Sequence, residues 1–227
     1  MFYREELMIG KENLELLQEK HVIVLGVGGV GGYVVESLVR AGIKHITIID
    51  YDKVDITNIN RQIIALHSNI GKKKVDCFKE RLLDINPNCC INALDIFYNE
   101  ENKDIIFKDK VDFIIDCCDS LNSKKIIIEE AIKRDIPIIS SMGAGNKLHP
   151  ELFKIEKLKK TAYDPLAKKL RYLLKDNKKA LEIPVAYSTE LGVVKIKDKI
   201  PSISFVPSSV GLLISSYVII NLIKGEK

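Results

Sequence analysis

Two short apolar runs, Val22–Leu25 and Ile46–Ile49, flank a segment whose apolar residues Val34, Val35, Leu38 and Val39 fall at helical spacing. A continuous apolar run this short fits a strand buried on both faces. Gly26-Val27-Gly28-Gly29-Val30-Gly31-Gly32 separates the first run from the helix, and Gly42 stands where a C-cap glycine belongs. The second run ends in Asp50. The pattern predicts strand, glycine turn, helix, strand and acid, which is one βαβ unit.

The rhythm continues for half the chain. Val75, Phe78, Leu82 and Ile85 predict a helix after Gly71, stopped by Asn86-Pro87-Asn88. Cys90–Ile96, Val111–Asp116 and Ile138–Ser141 read as strands, with a helix from about Asn122 to Arg134 between the last two. Alternation of this kind predicts a doubly wound α/β fold with a parallel, Rossmann-like sheet. Beyond Gly143-Ala144-Gly145 the pattern changes. Phe153–Lys157 reads as a strand, and Asp164-Pro165 opens a helix carrying Leu166, Leu170, Leu173 and Leu174. Val185–Ser188 and Val193–Lys197 are expected to pair antiparallel around Gly192, making the sheet mixed toward the C-terminus. Residues 10–19 predict a short amphipathic helix with Leu14 and Leu17 inward, and Arg4 precedes it on a flexible arm. One domain over residues 1–227 accounts for the whole.

Phe205–Ile223 is uncharged and long enough to span a bilayer. It also holds Pro207, Gly211, Asn221 and four serines, so a buried core helix beginning near Ser208 is expected, and no membrane span. Hydrophobic residues at 46% and charged residues at 29% fit a soluble globular protein. The five cysteines are odd in number, form no C-x-x-C pair and follow no secretory segment. Reduced thiols in a cytoplasm and no zinc site are expected.

A net charge of +4 identifies no partner, but its distribution narrows the field. Lys157–Lys179 holds nine Lys or Arg against two Asp, leaving the remainder slightly acidic. A local basic patch suits a polyanion; a solvated face in a Lys-rich protein suits it equally well.

Glycines lacking Cβ atoms let backbone N–H groups approach phosphate oxygens, and the following helix adds its positive end. Gly26, Gly28, Gly29 and Gly31 are the candidate cradle, and Asp50 is placed to hydrogen-bond a ribose. A hydride-transferring, NAD-binding enzyme needs no more than these. Three further features fall at strand ends or in the turns after them: Asn58-Ile59-Asn60-Arg61-Gln62, Lys74 and Asp119. Arg61 and Lys74 can neutralise phosphate oxygens. Asp119 can hold Mg²⁺, which takes one or two carboxylates plus phosphate oxygens. The set suits a nucleoside triphosphate. Each residue alone is explained as readily by a cap or a surface ion pair.

Gly26–Gly32, Asp50-Tyr51-Asp52, Asn58-x-Asn60-Arg61-Gln62, Gly71-x-x-Lys74 and Cys117-Cys118-Asp119-Ser120 resemble the signature set of the ubiquitin-activating-enzyme-like adenylating superfamily. That superfamily includes the molybdopterin and thiamine adenylyltransferases. Thr57–Ile63, Asp84–Pro87, Asp116–Ser120, Ser141–Gly145, Asp164–Lys168 and Tyr187–Glu190 resemble its tRNA threonylcarbamoyladenosine dehydratase branch. The resemblance runs from Arg4 to the last helix. It implies ATP and Mg²⁺ held by Gly26, Gly28, Gly29, Gly31, Asp50, Asp52, Asn58, Asn60, Arg61, Gln62, Lys74, Asp119 and Ser120. Arg61, Lys74, Asp119 and Arg4 are the implied catalytic set, with Arg4 reaching the neighbouring subunit's ATP in a homodimer. The implied reaction is cyclisation of a threonylcarbamoyl group on tRNA through an acyl-adenylate. Lys168, Lys169 and Arg171 are expected to contact the tRNA backbone. Branch members often place a cysteine before the Ser-Thr-Glu motif; Val185-Ala186-Tyr187 stands there instead, so no persulfide role is expected.

Two other readings stay in view. An adenylyltransferase for a ubiquitin-like sulfur carrier would ordinarily bring two C-x-x-C pairs. An NAD-dependent oxidoreductase leaves Arg61, Lys74 and Asp119 without a task, and a catalytically silent scaffold leaves the whole phosphate-binding set without one.

Overall fold

Alternate residues of the first strand belong to opposite faces of one sheet. In β1 (His21–Leu25), Val22 and Val24 join one apolar core, and Ile23 and Leu25 the other. β2 (His45–Ile49) divides the same way, with Ile46 and Ile48 on the first face and Ile49 on the second. Burial on both faces is why these runs are continuously apolar. The computed structural model describes residues 1–194, 196 and 200–224.

Among the described residues the sheet has seven strands, in the order β3-β2-β1-β4-β5-β7-β6. β3 is Cys90–Leu94, β4 Phe113–Asp116, β5 Ile138–Ser141, β6 Phe153–Lys157 and β7 Pro184–Ser188. All neighbours are parallel except β6 and β7, which pair antiparallel from Phe153 opposite Ser188 to Lys157 opposite Pro184. The mixed character expected toward the C-terminus is present, but with a different partner. Val185–Ser188 pairs with β6, whose strand reaches it across the sheet edge. Val193 and Val194 instead hydrogen-bond Asn146. Lys195 and Lys197, assigned to that expected strand, lie outside the described residues.

Among the described residues seven α-helices flank the sheet: α1 (Tyr3–Ile9), α2 (Lys11–Glu19), α3 (Gly31–Arg40), α4 (Lys74–Ile85), α5 (Leu121–Lys133), α6 (Pro165–Leu173) and α7 (Phe205–Lys224). α2, α3, α4 and α7 cover one face; α5 and α6 cover the other. Arg4 sits in α1, a helix rather than a loose arm. Glu5 and Glu6 favour its positive end, and Gly10 at φ 84° breaks it from α2. α7 starts three residues earlier than expected, because Pro207 falls in its first turn, where no intrahelical N–H is lost. Its inner face packs on α3, where Gly211 lies so close that a Cβ would stand 2.6 Å from the Val30 carbonyl oxygen. Its outer face leaves Phe205, Leu212 and Ile220 exposed, so it is a half-buried helix rather than a fully enclosed one. By length and composition it could cross a membrane; 44% of its apolar window is buried against the protein.

α4 is fixed to α3 by a charged clamp. Arg81 donates Nε and Nη2 to the two Glu36 oxygens at 2.6 and 3.1 Å, and Arg40 adds a third contact. Burial alone would raise the Glu36 carboxyl; the bonds from Arg81 and Arg40 outweigh it and hold it below its ordinary value. The clamp matters because α4 begins at Lys74.

Candidate functional site

Strand order reverses between β1 and β4, and such a switch point opens a crevice beyond the carboxyl ends of the strands. The glycine turn leaves β1 there, and Cys117–Asp119 leaves β4 beside it. Gly26 adopts φ 84°, and a Cβ on it would sit 2.8 Å from the Cys118 Cα. At Gly31 a Cβ would lie 1.8 Å from the Gly26 carbonyl oxygen. Only hydrogen fits at these two places, so the turn closes tightly on itself and on the loop after β4. The α3 N-terminus then points out of the turn with no side-chain cap on it.

Asp50, at the end of β2, is buried and aimed at this turn. Its Oδ2 accepts from the Val27 N–H at 2.8 Å and its Oδ1 from the Asp52 N–H at 2.9 Å. Burial raises its carboxyl above the ordinary value, with Lys74 and the two backbone N–H groups opposing. Lys74, itself 4% exposed, donates Nζ to Asp52 Oδ2 at 2.7 Å and stands 4.0 Å from Asp50 Oδ1. A buried cation is thus held ready between two acids at the crevice edge.

Arg61 lies along the other side. Its Cγ is 3.5 Å from the position a Gly29 Cβ would take. Its Nη1 donates to the Thr57 carbonyl at 2.9 Å and to Asn60 Oδ1 at 2.8 Å. Gln62 is 8% exposed; its Nε2 is the nearest atom to the Gly28 Cβ position, at 3.6 Å, and its Oε1 is buried without a hydrogen-bond partner. A polar atom left so beside a glycine turn suits a donor from a ligand. Asp119 is exposed at the same rim. Together with the closer Asp52 charge and with burial, it raises the Tyr51 hydroxyl above its ordinary value.

The structure therefore brings Arg61, Gln62, Lys74, Asp50, Asp52 and Asp119 to the glycine turn. Other predicted residues occupy supporting places. Asn58 is buried in a capping box, its Oδ1 accepting from the Asp55 N–H at 3.1 Å. Asn60 donates to the Ser202 carbonyl at 3.0 Å. Ser120 caps α5 by accepting from the Ser123 N–H at 3.3 Å. Arg4 is exposed on α1, and no hydrogen bond or ion pair joins it to the turn among the described residues. Lys168 and Lys169 are exposed on α6, whereas Arg171 is turned inward to the Thr161 carbonyl at 2.9 Å. Elsewhere in the basic stretch, Lys157 and Lys159 share Glu182. Burial pushes both the Cys117 and the Cys118 thiols up, so neither is a ready nucleophile at neutral pH.

Sequence reasoning missed the wall supplied by the far end of the chain. Pro207 Cβ lies 3.2 Å from the Gly29 Cβ position, and Ser202 holds Asn60. The proline was a visible signal, since it marks the first turn of a helix whose start must rest on something.

The fit to a nucleotide rests on these observations: a cradle that a Cβ would fill, a partnerless Gln62 oxygen, a buried lysine beside an acid that can take ribose hydroxyls, and Arg61 on the other side of the turn. The Asp119 carboxylate is a hard oxygen donor that fits Mg²⁺. Residues 3–224 match the ThiF family. The chain is 43% identical to the tRNA threonylcarbamoyladenosine dehydratase of Bacillus subtilis, over 98% of this chain and 94% of that protein. Among solved structures, the Escherichia coli tRNA N6-threonylcarbamoyladenosine dehydratase in complex with AMP superposes with a TM-score of 0.93 at 33% identity, over 98% of this chain and 94% of the other. An adenylyltransferase and sulfurtransferase of Meyerozyma guilliermondii matches at 33% identity, over 62% of this chain and 33% of its own. With its glycine turn, its switch-point crevice and these relatives along nearly its whole length, the chain belongs to the ThiF family.

Proposed function

We propose that this protein catalyses the ATP-dependent dehydration of threonylcarbamoyladenosine in tRNA, closing the threonylcarbamoyl group into a ring. The observation that carries the reading is that Arg61 and Lys74 flank the glycine turn while Asp119 directly follows Cys118, whose backbone abuts Gly26. The relatives named as dehydratases, similar over nearly the full chain, support it.

A carboxylate is a poor electrophile, because attack on it would expel oxide. In the proposed reaction the substrate carboxylate attacks the α-phosphorus of ATP and displaces pyrophosphate. The carbamoyl group of the same side chain then attacks the activated carbonyl, and AMP leaves with the carboxylate oxygen. The net change in the nucleoside is loss of one water. Both reacting groups sit on one molecule, so ring closure gains the proximity advantage of an intramolecular step. Lys74 and Arg61 stabilise charge on the phosphates, and Asp50 holds the ribose. Asp119 would hold Mg²⁺, which supplies further neutralising charge when bound. The neutral thiols of Cys117 and Cys118 accord with a route that needs no enzyme nucleophile. The free cysteines accord with a cytoplasmic setting.

Incubation with ATP, Mg²⁺ and tRNA bearing threonylcarbamoyladenosine, followed by nucleoside mass analysis, is expected to show that loss of one water. An unchanged mass, with ATP–pyrophosphate exchange triggered by a small carrier protein, would favour the sulfur-carrier reading instead.

Lys168 and Lys169 are the proposed tRNA contacts, by phosphate neutralisation. Substituting both with alanine is expected to weaken tRNA binding and to flatten its salt dependence by about 1 to 2 in log–log slope. An unchanged slope rules the patch out.

The reading extends to a homodimer in which Arg4 completes the partner's site. α1 buries none of its residues and exposes Tyr3, Leu7 and Met8, an apolar surface that a second copy would cover. Mixing Arg4→Ala with Lys74→Met subunits is expected to recover roughly a quarter of parental turnover, as random pairing of two subunits gives. No recovery removes the exchange of Arg4.

A further inference from the structure

Beneath the crevice lies a charged group that the proposed chemistry does not use. Asp116 and Lys124 are both 0% exposed, with Nζ 2.9 Å from Asp116 Oδ2. Lys124 also donates to the Ser141 carbonyl at 2.8 Å and to Ser140 Oγ at 3.3 Å. Ser140 Oγ in turn donates to Asp116 Oδ2 at 2.5 Å. A fully buried ion pair is a weak source of stability, because desolvation of both charges offsets most of their attraction. Its placement explains more than its energy does. Asp116 Oδ1 is left to accept the Cys118 N–H at 3.2 Å. The Cys118 backbone is what presses against Gly26, and the Cys117 N–H donates to the Leu25 carbonyl at 2.7 Å. The lysine thus fixes one oxygen of Asp116, and the other oxygen fixes the loop that abuts the glycine turn and carries Asp119.

We propose that Lys124 is a positioning residue for the nucleotide: through Asp116 it sets the Cys117–Asp119 loop against the glycine turn, without touching the ligand itself. The inference rests on the reading of that turn as the ATP site. Misplacement of reacting or binding groups by a fraction of an ångström to an ångström is costly even when its source is remote.

The test uses the whole chain, with ATP and tRNA as substrates and calorimetric ATP binding alongside. Lys124→Met is expected to raise the half-saturating ATP concentration about tenfold, with a smaller fall in kcat and an unchanged half-saturating tRNA concentration. It also leaves Asp116 buried without its cation, so its Tm falls. Adding Asp116→Leu removes that charge together with both acceptor oxygens and is expected to restore Tm while ATP saturation stays impaired, because the Cys118 N–H has then lost the oxygen that holds its loop. A purely structural role predicts that both recover together, and that result overturns the proposal. Parental ATP saturation in folded Lys124→Met overturns it as well. Should Lys124→Met not fold, Ser140→Ala removes a single bond to the same carboxylate and is expected to raise the ATP requirement about threefold; a parental value there overturns the proposal. Failure of the underlying reading looks different: the unsubstituted protein then binds no ATP at all.

Discussion

Lys74→Met is expected to lower ATP-dependent turnover about a hundred- to a thousandfold while the chain stays folded. Among the described residues Lys74 is the one buried cation at the glycine turn, 2.7 Å from Asp52 and 4.0 Å from Asp50. A charge about 4 Å from a phosphate oxygen, at an effective dielectric near 20, is worth about 4 kcal/mol, and each 1.4 kcal/mol is tenfold. Exchanging carboxylate contacts for phosphate contacts recovers part of that, which brings the net loss into the stated range. The folding cost is smaller. Asp52 is half-exposed and can be hydrated, and Asp50 keeps its two backbone N–H donors, so about 1 to 2 kcal/mol is expected. A second signature follows from Asp50. Its carboxyl already lies above the ordinary value, with Lys74 opposing the shift. Without the lysine it rises further, so ATP binding should weaken at a higher pH on acidification than in the parent. Arg61→Ala should show a milder loss, because its guanidinium is partly engaged by Thr57 and Asn60. Steady-state kinetics and a pH series of ATP binding check both variants. Parental rates in folded Lys74→Met would remove the phosphate role assigned to it.

The second large effect is expected at Gly31. A Cβ there would stand 1.8 Å from the Gly26 carbonyl oxygen, 3.0 Å from its carbon and 3.1 Å from Cys117 Cβ. No rotamer relieves a clash with backbone, so Gly31→Ala forces the turn open. Overpacking ordinarily costs about 1 to 3 kcal/mol, and a contact this short belongs at or above the upper end. Both Tm and ATP binding are expected to fall, the latter below detection. Gly28→Ala is the informative contrast. The nearest atom to its Cβ is the Gln62 side-chain nitrogen at 3.6 Å, so the fold accepts the methyl group. If phosphates approach the backbone there, Gly28→Ala loses ATP affinity with Tm unchanged. Equal ATP affinity in Gly28→Ala and the parent would place the phosphates elsewhere.

Much of this was legible in the sequence because the physics is local. The apolar runs of β1 and β2 name strands buried on both faces, and Gly26–Gly32 between them names the turn. Arg61, Lys74 and Asp119 could be singled out as candidates because each follows a strand or opens a helix at one edge of a parallel sheet. What stayed hidden depended on distant pairing. Val185–Ser188 could not reveal that its partner was Phe153–Lys157 rather than the strand-like residues just after it, since both are apolar and at plausible spacing. Asn58 and Ser120 read as ligand groups in the sequence; that each oxygen also accepts a capping N–H shows only in coordinates, because the direction of a short polar side chain is not written in its spacing. Lys124 had no sequence signal at all; in a Lys-rich helix nothing marks the one that is buried. Arg171 was read as a surface cation, and its bond to Thr161 turns it inward.

Because Pro207 braces a turn built near residue 30 and Ser202 holds Asn60 of the neighbouring segment, the order of synthesis has a consequence. A nascent chain that has emerged through β4 already owns the glycine turn and its acids, but not the brace from the other terminus. Ligand can reward only the conformation that binds it, so ATP in the cell should stabilise the finished polypeptide and give little help to a truncated one. Stalled or prematurely ended products would then be left to proteolysis, while complete copies are retained by their own substrate.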